Sequence, residues 1–255
     1  MNYLTAVHTD IGIRKSTNQD SALVIEAETD IGNVLLTVIC DGMGGLAKGE
    51  VASSAVIQEF SQWFEKQLPT ILSLNDPTDR IFSSWEKISF ACNEKIAQYG
   101  KRQGVSMGTT LVAMLIANGK YYIINIGDSR AYSLSDQVYL LTKDQTFVQR
   151  EMDMGRMTYE AAMTSPQRNG LLQCIGASNF IEPDFYTGQV SSNQSFMLCS
   201  DGFRHLISDA EIYDNMNPNI LTDENTMTDR CVYLTELNKS RMERDNITVL
   251  LVKTL

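Results

Sequence analysis

Three apolar runs in this chain each stop at an aspartate followed by a turn former. Val34–Cys40 runs into Asp41-Gly42, a second run ends in Gly127-Asp128-Ser129, and Ser195–Ser200 runs into Asp201-Gly202. A fourth aspartate, in Asp245-Asn246, stands just before the apolar run Ile247–Val252. A β-branched, almost wholly apolar run reads as a strand buried on both faces. Each junction therefore sets one carboxylate at the mouth of a buried strand, on rigid backbone, beside a residue that lets other groups come close. One Asp-Gly alone is an ordinary turn signal. Four such carboxylates constrain more: the chain has to stack buried strands and leave acids at their ends.

The remaining pattern supplies the partners for those strands. Val51, Ala55, Phe60, Trp63, Phe64 and Leu68 recur near helical spacing and stop at Pro69. Ile81, Trp85, Ile88, Cys92, Ile96 and Tyr99 step by three or four. Asp76 is placed to cap this second helix, Pro77 to open it and Gly100 to end it. Leu111–Ala117, Tyr121–Ile126, Ala131–Leu134 and Val138–Leu141 are strands separated by turn signals, which predicts an antiparallel meander. Residues 143–170 are rich in Met and polar residues and predict short helices and loops, a flap inserted at about 143–180. Ser208-Asp209-Ala210-Glu211 is a capping box, and Met227, Cys231, Leu234 and Asn238 mark a further helix. Strand runs and helix pairs are segregated rather than alternating, so the expected class is α+β with largely antiparallel sheet, in one domain over residues 1–255.

Composition narrows the chemistry. With 31 Asp+Glu against 21 Lys+Arg the net charge is −10, the wrong sign for a phosphate-backbone binder, so no nucleic-acid partner is expected. His8 and His205 are the only histidines, too few for a His-rich zinc site. They have no ligand-spaced partner and read as structural or surface groups. The five cysteines, Cys40, Cys92, Cys174, Cys199 and Cys231, are odd in number and widely spaced, which favours a reducing compartment over a disulfide framework. No signal-peptide pattern follows Met1, and no apolar run approaches a membrane span, so a cytoplasmic protein without a membrane partner is expected. Converging carboxylates repel and raise one another's pKa values unless a cation intervenes. Mg²⁺ and Mn²⁺, which prefer oxygen ligands, are the cations this composition suits.

Seven motifs in order carry a resemblance over nearly the whole chain, from about Ala6 to Val252. They are Thr9-Asp10-Ile11-Gly12 through Asn18-Gln19-Asp20; Asp41-Gly42-Met43-Gly44-Gly45 with Gly49-Glu50; Gly108-Thr109-Thr110; Gly127-Asp128-Ser129-Arg130-Ala131-Tyr132; Pro166-Gln167-Arg168-Asn169; Ser200-Asp201-Gly202; and Asp245-Asn246-Ile247-Thr248-Val249. In this order they resemble the metal-dependent type 2C (PPM) protein serine/threonine phosphatases, in the compact bacterial form.

The resemblance implies a four-layer αββα sandwich with two mostly antiparallel central sheets flanked by antiparallel helix pairs. It implies two core Mn²⁺ or Mg²⁺ ions and a third, weaker one. Asp41 would bridge the core ions and, with Asp201 and Asp245, form the catalytic set. Asp201 and Asp245 would hold the first ion, the Gly42 carbonyl and Asp20 the second, and Asp128 with Asp201 the third. Arg14 or Lys15 would bind the phosphate, with Arg14 favoured on the assumption of a one-residue shift. The implied reaction is hydrolysis of phosphoserine and phosphothreonine in proteins by a water held between the ions, with phosphoproteins as substrates, an opposing Ser/Thr kinase as partner and a monomeric state. The alternatives are a catalytically dead regulatory module and a two-metal phosphoesterase for small molecules. Three positions depart from commoner patterns: Gln19 stands where many members have Glu, Ser165 where a His precedes the flap proline, and Met43 where eukaryotic relatives have His. Gly108-Thr109-Thr110 reads as close packing of a core strand.

Overall fold

The computed structural model describes residues 1–44 and 48–255. In chain order these form β1 (Tyr3–Asp10), β2 (Asp20–Thr29), β3 (Gly32–Gly44), α1 (Gly49–Lys66), α2 (Leu68–Leu72), α3 (Thr78–Gln103), β4 (Met107–Thr109), β5 (Leu111–Ala117), β6 (Lys120–Ile126), β7 (Arg130–Leu134) and β8 (Val138–Leu140). There follow α4 (Phe147–Asp153), α5 (Tyr159–Thr164), β9 (Asp184–Gln189), β10 (Ser195–Cys199), α6 (Asp201–Arg204), α7 (Asp209–Met216), α8 (Glu224–Ser240) and β11 (Ile247–Thr254). One sheet has the order β1-β11-β10-β7-β8; the other runs β2-β3-β5-β6-β9, with β4 also paired to β3. Every strand pairing among the described residues is antiparallel. The class is α+β, as expected.

Three separate cores make the layers. Leu35, Ile39, Val112, Met114, Phe196, Leu198, Leu250 and Val252 interlock between the two sheets. The opposite faces of those strands are apolar too. Leu36, Val38, Ala113 and Leu115 meet Phe60, Trp63, Trp85 and Ile96 of α1 and α3. Met197, Cys199, Val249 and Leu251 meet Ile212, Met227, Cys231 and Leu234 of α7 and α8. A strand buried on both faces must read as an unbroken apolar run, and β5, whose seven residues are all buried, does. Helix, sheet, sheet and helix give the four-layer sandwich.

Local signals explain most element ends. The Ser208 capping box opens α7 as expected. Asp76 Oδ1 accepts hydrogen bonds from Thr78 N and Oγ1, while Pro77 takes the cap position itself. Two expectations need correction. The second long helix does not end at Gly100; it runs one turn further to Gly104, in left-handed conformation, and Gly100 is buried within it against the Val105 carbonyl. The stretch from Leu111 to Leu141 is not one meander. β5 and β6 pair in one sheet and β7 and β8 in the other, so the chain crosses between sheets at Gly127-Asp128-Ser129. Gly127, with φ +104, makes that crossing, where two like hairpins gave no local sign of a change of sheet. All five cysteines are free and buried. No helix among the described residues is long and apolar enough to cross a membrane.

Candidate metal centre

The four strand-end carboxylates gather at one end of the sandwich. Asp20 opens β2 directly across from Asp41 on β3. Asp41 feels the charges of Asp20, Asp201, Asp128 and Asp245. Asp201 is the first residue of α6, immediately after β10, and Asp245 precedes β11, the strand beside β10. Gly202 allows this approach, because a Cβ there would collide with the Asn246 carbonyl oxygen. Asp128 sits at the crossing between the sheets. Gly45 of the second motif lies outside the described residues.

Hydrogen bonds hold Asp41 and Asp128 by the main chain and Asp20 by the side chain. The Asp41 amide donates to Thr110 Oγ1 at 3.0 Å, and its carbonyl accepts from Thr110 N at 2.9 Å and Thr109 Oγ1 at 3.0 Å. The Gly108-Thr109-Thr110 motif thus positions Asp41, a role beyond the packing expected of it. Thr248 Oγ1 donates to Asp20 Oδ2 at 2.6 Å. Asn246 pins the loop before β2: its Oδ1 accepts from Gln19 N at 3.0 Å, and its Nδ2 donates to the carbonyls of Ile11 and Thr17. Arg204 Nη2 donates to the Asp128 carbonyl at 3.0 Å and to Asp144 Oδ2 at 3.1 Å, while Arg130 grips Asp144 with Nε and Nη2 at 2.6 and 2.8 Å. Thr109, Thr110, Arg204, Asn246 and Thr248 carry no motif signal of a supporting role. The only sequence hint was that four of them lie in or beside the quoted motifs.

The electrostatics are those of crowded, buried carboxylates. Burial, then repulsion from Asp20, Asp201, Asp128 and Asp245, pushes the Asp41 carboxyl well above the usual range. Burial raises Asp20 to about 6, although hydrogen bonds from Thr248 and Ser200 oppose it. Burial and Asp201 raise Asp128 to about 7 against the pull of Arg204. Burial disfavours the Lys15 ammonium, but its contact with Asp245 Oδ1 at 2.6 Å outweighs this and raises its pKa. Arg14 is exposed, as Lys15 is, but makes no ion pair among the described residues. The loop places Lys15, not Arg14, at the acids.

The donor set fits a hard divalent cation. Buried oxygens Asp20 Oδ1, Asp201 Oδ1 and Glu50 Oε2 have no hydrogen-bond partner, and carboxylate oxygens are the ligands Mg²⁺ and Mn²⁺ select. Among the described residues no three such side chains are drawn into a closed chelate.

Beside the acids lies a groove of about 670 Å³, walled by Asp128, Tyr159, Met163, Arg168, Arg204 and His205 among others. Residues of α4 and α5 form part of its wall, and Asp128 is the one site acid in it. A second cavity of about 520 Å³ between α1 and α3 contains none of the site acids.

The family model for protein phosphatase 2C matches residues 12–239. The serine/threonine phosphatase stp of Listeria monocytogenes is 31% identical over 250 residues, covering 96% of this chain and 93% of its own. The solved serine/threonine phosphatase of S. agalactiae superposes with a TM-score of 0.83 at 31% identity, covering 100% of both chains. The catalytic domain of the serine/threonine phosphatase PstP, solved in complex with two manganese ions, superposes with a TM-score of 0.79 at 29% identity, covering 99% of this chain and 98% of that one. Shared along nearly its full length with these enzymes, the scaffold that brings the acids together makes this chain a member of the protein phosphatase 2C family.

Proposed function

We propose that this protein is a Mn²⁺- or Mg²⁺-dependent phosphatase that removes phosphate from phosphoserine and phosphothreonine in proteins. The observation that carries the reading is the convergence of Asp20, Asp41, Asp128, Asp201 and Asp245 on one end of the sandwich with buried oxygens left unpaired. Asp41 would bridge two ions, Asp201 and Asp245 would hold the first, and Asp20 with the Gly42 carbonyl the second. Asp128 and Asp201 would hold a third. When bound, such ions supply positive charge that stabilises phosphoryl oxygens and makes water more acidic. The protein's own residues then act by position. Asp41 is clamped through its main chain by Thr109 and Thr110, which fixes the backbone from which its carboxylate projects. Lys15 would grip the phosphate, and the groove, with Met152 and Met163 in its wall, would seat the flanking peptide on a surface able to repack. Residues 143–180 would act as a flap insertion within a single catalytic domain. An opposing Ser/Thr kinase, a monomeric state and a cytoplasmic setting complete the proposal, with the acidic surface turning nucleic acid away.

The direct test is phosphate release from matched phosphothreonine, phosphoserine and phosphotyrosine peptides. Turnover of the first two with Mn²⁺, abolished by EDTA, is the expected result. Activity that survives EDTA overturns the reading, and turnover of small phosphomonoesters alone moves it to a small-molecule phosphoesterase.

The phosphate grip has its own expected outcome. Lys15→Ala should raise KM for a phosphothreonine peptide about tenfold, as loss of one charged contact to the phosphate implies. Arg14→Ala should leave KM within about twofold, since an exposed charge without a partner contributes little. The reverse ranking would restore Arg14 to the role.

A further inference from the structure

From the sequence His205 reads as a structural or surface group, and Glu243 belongs to no motif. Their placement gives them a task. His205 stands one turn after Asp201 on α6, with its Nε2 3.3 Å from Asp201 Oδ2 and its Nδ1 3.3 Å from Glu243 Oε2. The side chains of Asp201, His205 and Glu243 are only 10%, 10% and 7% exposed, so the contacts are shielded from water. The other oxygen of Glu243 faces the opposite way. Its Oε1 accepts from the main-chain N–H groups of Arg244 at 2.6 Å and Asp245 at 3.0 Å. One imidazole, in close contacts that are ionic when it is protonated rather than hydrogen bonds, thus stands between the Asp201 side chain and the carboxylate that holds the backbone of Asp245.

A second path runs parallel to the first. Buried Asn238, near the end of α8, donates to the Phe203 carbonyl of α6 at 2.7 Å, and its own carbonyl accepts from Glu243 N at 3.0 Å. Between them Met242 takes a left-handed conformation, φ +71, while remaining 58% exposed. That conformation is uncommon for a residue other than glycine, and here it turns the chain out of α8 so that Glu243 enters the interior.

We propose that His205 and Glu243 are positioning residues that hold Asp201 and Asp245 at the spacing one shared ion requires. This rests on the assignment of Asp201 and Asp245 to the same ion. The physical reason is preorganisation: ligands aimed by a buried outer layer bind an ion without first being ordered, and loss of such a layer typically costs 10–100-fold in metal affinity. A packing role alone predicts something different, namely lower fold stability with metal affinity unchanged.

The test is calorimetric titration of MnCl₂ into EDTA-stripped, dialysed protein, with circular dichroism to verify the fold. His205→Ala should raise the Kd of the tightest Mn²⁺ site by 10–100-fold. Glu243→Gln, which keeps the volume and an acceptor for the two N–H groups, should raise it by a smaller factor. The double variant should be little worse than His205→Ala, because residues acting through one chain of contacts are not additive. At saturating Mn²⁺ both single variants should recover most of kcat on a phosphothreonine peptide. Folded variants that bind Mn²⁺ within twofold of the parent, or losses that simply multiply in the double variant, overturn the proposal. If His205→Ala fails to fold, His205→Gln with Glu243→Gln carries the same cycle. Asp201→Asn serves as the control: if it leaves Mn²⁺ binding intact, the ion assignment itself falls, and this proposal with it.

Discussion

Asp41→Asn is expected to abolish turnover and at the same time make the metal-free protein harder to unfold. The two effects have one cause. Asp41 is held against Asp20, Asp201, Asp128 and Asp245, and burial with their repulsion disfavours its charged form. An amide of the same shape removes that penalty, so in EDTA at pH 8 the variant should gain about 0.5–2 kcal/mol, the usual return from relaxing a functionally strained site. The fold should survive because the clamp from Thr109 and Thr110 is to the Asp41 main chain, which the substitution leaves alone. Turnover is another matter. A neutral amide is a poor bridge between two divalent ions, and a loss of at least about 10³-fold in kcat, ~4 kcal/mol of barrier, should follow. Phosphate release at saturating Mn²⁺ and thermal unfolding in EDTA measure the two halves. Activity within tenfold of the parent, or a metal-free variant that melts earlier, would contradict the account of Asp41 as a strained bridging ligand.

In EDTA, stability should fall as pH rises from about 4 to 8, and Mn²⁺ should offset the fall. Asp20 at about 6 and Asp128 at about 7 lie above the ordinary value of 3.8. In that window the folded state holds protons that the unfolded chain has released. Their contribution is therefore fully present below about pH 4 and is lost as pH climbs through 6 to 7. His205 acts in the same direction: burial opposes its charge, but Glu243 and Asp201 outweigh this and raise its pKa. Glu243 is held down at about 2, since contacts with His205 and the Asp245 N–H overcome its burial, so its contribution is lost only in stronger acid. Mn²⁺ needs the carboxylates ionised and binds more weakly as they protonate. At 100–1,000 times its Kd it should add about 3–4 kcal/mol near pH 8, and little near pH 4.5. Calorimetric melting across this range with EDTA and with Mn²⁺ decides the matter. A metal-free protein that grows more stable from pH 5 to 8 would show that the acids are not crowded as described.

Much of this was legible along the chain because it depends on local pattern. An unbroken apolar run such as Leu111–Ala117 means burial on both faces wherever the strand lies, and the capping box at Ser208 closes on itself within one turn. The strand-end acids were legible for the same reason, since each junction is written in three adjacent residues. The division of the Leu111–Leu141 hairpins between two sheets was not, because pairing partners β7 and β10 are about sixty residues apart and hairpin signals do not state which sheet receives them. The helix end at Gly104 was missed because Gly100 offers the same local signal, and only the close Val105 backbone shows that Gly100 serves packing.

The candidate centre divides along the same line. Which residues hold charge, and that oxygen-loving cations suit them, follow from residue type and repetition in the sequence by itself. Only the tertiary structure decided which neighbours aim them. Lys15 rather than Arg14 reaches Asp245 because the loop after β1 is pinned by Asn246, more than two hundred residues away. Thr109 and Thr110 serve Asp41, Arg204 serves Asp128, and His205 reaches Glu243 for the same reason. Ligand identity is a property of single residues, whereas ligand orientation is set by contacts between elements remote in the chain, and these exist only once the two sheets have packed.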